Sequence, residues 1–318
     1  MLYGLLALGF VLLVLGGEGL VRGAVALAQR LGVSPLLIGL TLVGFGTSTP
    51  ELVTSLQAAL AGSPDIAIGN VVGSNIANVL LILGIAAVMA PFACDPAAFR
   101  RDGTMLALSA VLCALVALSG TVGRPAGALF LALLLAYVLF TYRRERRTPD
   151  AAAALHEHEV ELAEPLPQSL PLALVLAVGG MALTILGARF LVQGAIGLAA
   201  AAGISEAVIG LTVVAIGTSL PELVTAVMAS WRRQADIVFG NIVGSNIFNL
   251  LGILGTTALV HPLAVPAEIL RLDLWVMLAV TALMILFAIT GWRLTRGEGL
   301  VFLLGYAGYL TVLLRGWG

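Results

Sequence analysis

Two glutamates stand in strongly apolar parts of this sequence, and each follows a proline. Glu51 lies in GTSTPELVTS and Glu222 in GTSLPELVTA. An ionisable residue in such a region is costly and persists mainly where it is paired or functional. Two carboxylates side by side repel each other, so both stay ionised only with a cation between them; otherwise one of them holds a proton. The residues therefore predict cation binding or proton carriage.

The polar residues around the two glutamates offer oxygen ligands. Neither segment contains His or Cys, and the side-chain oxygens come from duplicated hydroxyls and amides: Thr47, Ser48, Ser74, Asn78, Thr218, Ser219, Ser245 and Asn249. In each half the Ser and the Asn of the second segment are four residues apart and share a helix face. All-oxygen ligation suits Ca²⁺ and Na⁺, disfavours Zn²⁺ and Cu, and suits Mg²⁺ less because Mg²⁺ dehydrates reluctantly.

Each Pro-Glu pair also predicts a break in its helix. Pro50 and Pro221 lack a backbone N–H and disturb the carbonyl one turn earlier, and Gly46 and Gly217 loosen the helix just before them. Carbonyls freed at such a break are further ligands for a cation. Substrate sites of many secondary transporters lie at interrupted helices of this kind.

The elements that position these residues are helices in a membrane. The chain has 318 residues, 60% hydrophobic and 10% charged, with a mean hydropathy of +1.08, whereas soluble domains carry about 25% charged residues. Apolar runs of about 20 residues, enough to cross a bilayer, predict an all-α membrane protein. Its ten expected transmembrane helices are 3–28, 35–61, 66–91, 104–120, 125–142, 169–200, 206–230, 236–261, 271–290 and 298–315. The lipid bilayer is the expected surrounding, no feature favours nucleic acid, and Cys94 and Cys113 predict no disulfide framework.

The segments around the glutamates belong to a longer repeat. An offset of 171 residues, the separation of the two glutamates, aligns 38–56 with 209–227 at 13 of 19 positions. Each half, 1–142 and 170–318, holds five predicted spans, and the charged, proline-containing segment 143–169 forms a linker between them. Because five is odd, the second half enters the membrane from the opposite side, which predicts two inverted five-helix repeats. Inversion lets both glutamates reach the midplane and approach one another.

Glycines of the repeat are expected to allow close helix packing. They are Gly69, Gly73, Gly240 and Gly244. Small residues of this kind let membrane helices approach closely.

The distribution of basic residues predicts the orientation. The chain contains 16 Arg and no Lys. If the N-terminus faces out, eleven Arg fall on the cytoplasmic side and three on the outer side, in agreement with the positive-inside rule. We therefore expect a multi-pass protein of the cytoplasmic (inner) membrane with both termini outside and the linker inside.

The two motif pairs resemble those of a known family. GTSTPEL with GNVVGSNIAN, and GTSLPEL with GNIVGSNIFN, are similar to the α1 and α2 repeats of the Na⁺/Ca²⁺ exchanger family, within the Ca²⁺/cation antiporter superfamily. The short central linker resembles the prokaryotic branch. The resemblance implies exchange of Na⁺ for Ca²⁺ by alternating access, with spans one and six sliding past the core. It implies neither a cofactor nor enzymatic activity.

The same resemblance implies the ligands. Glu51 and Glu222 would bind Ca²⁺ and share Na⁺, and the remaining ligands would be the hydroxyls of Thr47, Ser48, Thr218, Ser219, Ser74 and Ser245, the backbone carbonyls of Gly44 and Ala215, and the flanking amides of Asn78 and Asn249. Some family members carry Asp where this chain has Asn249, so Asn argues against a K⁺ requirement. The proton-coupled branch differs at the first motif, which favours Na⁺ as the driving ion.

Other functions stay open on the residues alone. A Ca²⁺/H⁺ antiporter is one, because paired glutamates also carry protons. A Ca²⁺-permeable channel would also use paired carboxylates, although the inverted repeat weighs against it. An intramembrane enzyme has less support, because no His, Cys or Ser-Lys constellation accompanies the glutamates. The Na⁺ to Ca²⁺ ratio and the oligomeric state are not readable from the sequence.

Overall fold

The computed structural model of this protein describes residues 2–146, 169–201 and 215–314, and most of them are helical. The first half contains α1 (Leu2–Leu31), α2 (Pro35–Ile38), α3 (Gly44–Thr47), α4 (Thr49–Leu60), α5 (Pro64–Ala77), α6 (Gly84–Met89), α7 (Pro96–Ala117) and α8 (Arg124–Arg146). The second half contains α9 (Leu170–Ala201), α10 (Ala215–Thr218), α11 (Leu220–Trp231), α12 (Ala235–Ile247), α13 (Leu254–Val260), α14 (Leu274–Ile289) and α15 (Arg296–Leu314). Among the described residues, four π-helical segments adjoin them: Gly39–Val43, Asn78–Leu83, Phe248–Ile253 and Ile269–Asp273.

Several helical stretches are long and apolar enough to cross a membrane. Among the described residues, six pass this test: Leu2–Leu31, Pro64–Met89, Arg124–Arg144, Leu170–Ala195, Ala235–Val260 and Ile269–Ile289. A seventh is formed if 35–47 and 49–60 count as one span bent by 41°. The fourth and tenth predicted spans coincide with α7 and α15, which do not meet the same test. Residues 206–214 of the predicted seventh span and 147–168 of the predicted linker lie outside the described ranges.

The predicted second span is interrupted at its Ser-Thr-Pro run. Ser48 leaves the helical conformation, with φ −81° and ψ 8°, and Pro50 lies in the first turn of α4, where its missing N–H costs no helical hydrogen bond. Ser219 has nearly the same conformation before α11, with φ −89° and ψ 9°, and Pro221 follows it. Each break therefore places its glutamate in the first turn of a new helix, where the helix dipole favours negative charge.

The stretches that carry the amide residues form the centre of the molecule. In the apolar part of Ala235–Val260, 94% of the residues are buried, and in that of Pro64–Met89 the share is 72%. In the peripheral helix Leu2–Leu31 it is 33%. Both central stretches contain a π-helical segment, starting at Asn78 and at Phe248. Such widened turns occur frequently at functional sites.

Within the part of the chain that the structure describes, two short antiparallel ladders join the halves. Strand β1 (Phe92–Ala93) pairs with β4 (Arg293–Leu294), and β2 (Thr121–Val122) pairs with β3 (Leu263–Ala264). Each ladder therefore connects a loop of the first half to a loop of the second.

Glycines bring α12 into backbone contact with α2 and the π-helical segment that follows it, as expected of Gly240 and Gly244. A Cβ atom on Gly240 would lie 2.5 Å from the carbonyl oxygen of Leu36, and one on Gly244 would overlap the backbone of Leu40. The matching contact for Gly69 and Gly73 would involve residues 207–211, which lie outside the described ranges, so that part stays a prediction.

Helices α1 and α9 pack through glycines spaced seven residues apart. These are Gly9, Gly16 and Gly23 in α1, and Gly180, Gly187 and Gly194 in α9. A Cβ atom on Gly16 would lie 2.5 Å from the backbone N of Thr184, and one on Gly180 would overlap the backbone of Leu20. The two backbones therefore touch, as small residues permit in membrane helix pairs.

Two adjacent glycines of α9 test this contact. Gly180→Ala should lower the unfolding temperature in detergent by roughly 2–10 °C, because overpacking against a backbone costs about 1–3 kcal/mol. Gly179→Ala is the matched control, since a Cβ there meets no described atom within 4 Å and alanine favours the helix. The measurement is the thermal unfolding temperature of each variant. Equal unfolding temperatures of Gly180→Ala and Gly179→Ala would contradict the backbone contact at Gly180.

Candidate cation-binding site

The two helix breaks face each other, and the serine of each contacts the glutamate of the opposite half. The Ser48 hydroxyl donates a hydrogen bond of 2.8 Å to Oε1 of Glu222, and the Ser219 hydroxyl donates one of 3.3 Å to Oε1 of Glu51. Both glutamates are 1% exposed, so two like charges are buried where the breaks meet. The structure thus brings these four predicted residues together.

The second oxygen of each carboxylate lacks a donor. Within the described ranges, Oε2 of Glu51 and Oε2 of Glu222 are buried and accept no hydrogen bond. A buried, unsatisfied oxygen of this kind costs free energy unless a cation or a proton satisfies it. Two carboxylates surrounded by hydroxyl and carbonyl oxygens fit Ca²⁺.

Neutral oxygens have to supply the rest of such a site. In the part of the chain that the structure describes, no group of three or more His, Cys, Asp and Glu side chains could hold a metal ion. A cation at the two glutamates would therefore depend on hydroxyls, amides and backbone carbonyls for its remaining ligands.

Gly44 offers one such carbonyl, in the helical turn before the first break. The Ser245 hydroxyl donates to it at 3.1 Å and the Thr47 hydroxyl at 3.3 Å. A Cβ atom on Gly44 would lie 2.9 Å from the backbone N of Ser245, so a larger residue would separate the two helices. Three predicted ligands, Gly44, Thr47 and Ser245, therefore lie in mutual contact.

The predicted amides Asn78 and Asn249 are each 1% exposed. Nδ2 of Asn78 donates a hydrogen bond of 2.9 Å to Oδ1 of Asn246, an amide outside the predicted ligand set. Among the described residues, Oδ1 of Asn78 and both amide atoms of Asn249 have no partner. Their amide oxygens are therefore available to a ligand.

The other predicted ligands lie on the same elements. Ser74 is buried in α5, Thr218 is half-buried in α10, and Ala215 is the first residue of α10. Within 2–146, 169–201 and 215–314, none of the three makes a described hydrogen bond to Glu51 or Glu222. Their role in binding stays a prediction.

Two amides outside the predicted set hold the backbone of the glutamates. Nδ2 of Asn70 donates to the carbonyl of Glu51 at 3.1 Å, and Nδ2 of Asn241 donates to the carbonyl of Glu222 at 3.3 Å. The signal for them was present, because the two Asn residues occupy matching positions of the repeat. Their targets were not readable, since these depend on how the neighbouring helices pack.

Comparisons with known proteins identify the family of the chain. The sequence profile of the family described as sodium/calcium exchanger protein matches residues 1–143 and 172–315. The sodium/calcium exchanger MaX1 of Methanosarcina acetivorans is 36% identical over 340 residues, covering 97% of both chains. The inner membrane protein YrbG of Escherichia coli is 38% identical over 316 residues, covering 97% of this chain and 95% of its own.

A solved structure has the same fold. It is the sodium-calcium exchanger NCX_Mj soaked with 2.5 mM Na⁺ and 10 mM Sr²⁺, which superposes with a TM-score of 0.85 at 31% identity. The superposition covers 98% of this chain and 99% of the other.

Long apolar helices around a buried oxygen site at two helix breaks define a class of protein, the multi-pass membrane transporters. Within that class, the chain belongs to the sodium/calcium exchanger protein family. It is therefore an antiporter of cations rather than an enzyme.

Removing one of the two like charges tests the electrostatics of the site. In buffer without Na⁺ or Ca²⁺, Glu222→Gln should unfold at a higher temperature than the parent, because the repulsion between the carboxylates is gone. Ca²⁺ should stabilise the parent by about 2.7 kcal/mol at 100 times its dissociation constant and leave the variant nearly unchanged. Scanning fluorimetry in detergent measures both.

The control for this measurement is Glu268→Gln, which removes an exposed carboxylate away from the site. It should respond to Ca²⁺ as the parent does. A full Ca²⁺ response in Glu222→Gln would show that the cation binds elsewhere.

Proposed function

We propose that this chain is a secondary antiporter that exchanges Na⁺ for Ca²⁺ across the cytoplasmic membrane by alternating access. The observation that carries the proposal is the buried pair Glu51 and Glu222, each with one carboxylate oxygen unpartnered among the described residues. Two negative charges with neutral oxygens suit one Ca²⁺ or two Na⁺. The ions are substrates, and the proposal needs no resident cofactor.

The proposed ligands share one property: each supplies an oxygen from one of the two break segments or from the central stretches Pro64–Met89 and Ala235–Val260. They are Glu51, Glu222, Thr47, Ser48, Thr218, Ser219, Ser74, Ser245, Asn78, Asn249 and the backbone carbonyls of Gly44 and Ala215. The crosswise serine–glutamate hydrogen bonds and the contacts of the Gly44 carbonyl support this set.

Obligate exchange follows from the charge of this site. Leaving an unpaired charge buried in a low-dielectric interior costs several kcal/mol. The switch between the inward-facing and outward-facing states is therefore unfavourable while the site is empty and holds two bare carboxylates. Either Ca²⁺ or Na⁺ neutralises it. Because the same oxygens serve both ions, the two loads compete, and one leaves before the other binds.

The proposed architecture consists of ten transmembrane helices in two inverted repeats, 1–142 and 170–318, joined by the linker 143–169. The 171-residue offset supports it, as does the reciprocal form of the contacts at the two breaks. Alternating access would then move α1 and α9 together past the central stretches. Their backbone-to-backbone packing supports movement as one body.

Sodium is the proposed driving ion. MaX1 is named a sodium/calcium exchanger, and the NCX_Mj crystals were soaked with Na⁺ and Sr²⁺. A Ca²⁺/H⁺ antiporter is the second candidate, because the unpartnered oxygens of Glu51 and Glu222 would also accept protons. Asn249 in place of Asp keeps the site at two formal charges and argues against K⁺.

Uptake of radiolabelled Ca²⁺ into proteoliposomes tests the proposal. Uptake should require internal Na⁺, and Glu51→Gln and Glu222→Gln should each reduce it to the level of empty vesicles, because neither then holds two charges for Ca²⁺. Glu268→Gln should transport normally. Vesicles loaded with K⁺ serve as the ion control.

An acid-loaded set of vesicles separates the two candidates. If a proton gradient without Na⁺ drives Ca²⁺ uptake as well as internal Na⁺ does, the chain is a Ca²⁺/H⁺ antiporter. Near-normal uptake in either glutamine variant would remove the paired glutamates from the mechanism.

The proposed orientation has both termini outside and residues 143–169 inside. In a bacterial host, alkaline phosphatase fused to the C-terminus should therefore be active and a green fluorescent protein at the same place dark. The same reporters inserted after residue 155 should give the opposite pair of results. Fluorescence from the C-terminal fusion would place the C-terminus inside and contradict the proposed orientation.

A further inference from the structure

Asn70 and Asn241 occupy matching positions of the repeat and make one matching contact. Each donates its side-chain N–H to the backbone carbonyl of the glutamate in its own half, at 3.1 Å and 3.3 Å. This contact fixes the orientation of the amide, because Nδ2 faces the carbonyl and Oδ1 is then directed to other donors.

The two amides differ in their second contact, because Ser55 of the first repeat is replaced by Ala226 in the second. The Ser55 hydroxyl oxygen accepts a further hydrogen bond from Nδ2 of Asn70 at 2.9 Å. The matching residue of the second half is Ala226, which has no such oxygen. Asn241 instead contacts the opposite half: its Oδ1 accepts a hydrogen bond from the Thr47 hydroxyl at 3.3 Å, and both side chains are fully buried.

The Thr47 hydroxyl has one proton and more than one acceptor beside it. Oδ1 of Asn241 and the carbonyl oxygen of Gly44 each lie at 3.3 Å, and the Glu222 carboxylate is also close by. When the Gly44 carbonyl, the Glu222 carboxylate and the Thr47 oxygen all ligate a cation, a proton between any two of them would lie beside the positive ion. The Asn241 amide is then the acceptor that leaves the lone pairs of Thr47 facing the cation.

We propose that Asn241 is a positioning residue for transport, which accepts the Thr47 proton and so presents the threonine oxygen to the cation. The inference rests on the proposed function. It makes the two halves unequal, because the first break depends on an amide of the second half while Asn70 serves its own half.

A double-mutant cycle tests the coupling. Asn241→Ala should raise the apparent KM for Ca²⁺ roughly two- to tenfold, the size of one hydrogen bond between neutral groups. Thr47→Val should raise it at least as much, because it also removes a proposed ligand; kcat should change less in both variants. If Asn241 acts through Thr47, the two effects should be less than additive: in the Thr47→Val background, Asn241→Ala should raise KM no more than Asn70→Ala does in the parent, because only the bond to the Glu222 carbonyl is left to lose. Ca²⁺ uptake into Na⁺-loaded proteoliposomes gives both constants.

The matched control is Asn70→Ala, which removes the equivalent amide without touching Thr47. Its effect should persist in full in the Thr47→Val background, so the two substitutions should be additive. Asn241→Ser, whose shorter side chain cannot reach Thr47, replaces Asn241→Ala if that variant does not fold, as judged by its unfolding temperature without Ca²⁺.

The outcomes separate this inference from the proposed function. Additive effects of Asn241→Ala and Thr47→Val, or an unchanged KM in Asn241→Ala, would overturn the positioning role while Na⁺-dependent uptake stands. If the parent shows no Na⁺-dependent uptake, the proposed function fails. The Ca²⁺-induced rise in unfolding temperature of the same variants then decides the inference, which requires that the Asn241 effect be smaller in Thr47→Val than in the parent.

Discussion

Two like charges, buried against each other where two halves of one chain meet, are the constraint on which the rest of this structure depends. Ser48 and Ser219 each donate to one carboxylate oxygen, and the start of a helix adds a favourable dipole. A straight helix through 35–60 would hold Glu51 in mid-helix, away from any helix end. The break at Ser-Thr-Pro in the first half, and at Ser-Leu-Pro in the second, turns a buried acid into the start of a helix.

Close backbone contact is the second requirement, because the break residues must reach across to the other half. Gly44 approaches Ser245, and Gly240 approaches Leu36, at distances that exclude a side chain. On the periphery, the glycines of α1 and α9 do the same. The molecule thus uses glycine where halves or helices must touch, and leaves its bulky apolar residues to fill the interior and face the surroundings.

The sequence was sufficient to predict features that depend on neighbouring residues or that recur in both halves of the repeat. The repeat offset selected Glu51 and Glu222, and the motif resemblance selected Gly44 and the hydroxyls that the structure brings against it. It was insufficient for contacts that depend on helix packing. Asn70 and Asn241 bond to carbonyls that any residue would supply, and Asn246 reaches Asn78 across 168 positions. The sequence shows that these residues are polar and lie in apolar segments. It does not show their partners, because these depend on how the helices pack in three dimensions.

The crosswise bonds at the two breaks have the form of an isologous interface: the serine of one half contacts the glutamate of the other, and the reverse also holds. In a twofold homodimer such a surface is complementary to itself. Nothing in these two bonds requires the halves to be covalently joined. A single copy of the half, inserted in both orientations, would carry every group needed to form them. The duplication is thus intelligible as the fusion of a self-complementary unit, after which Ser55 and Ala226 were free to diverge.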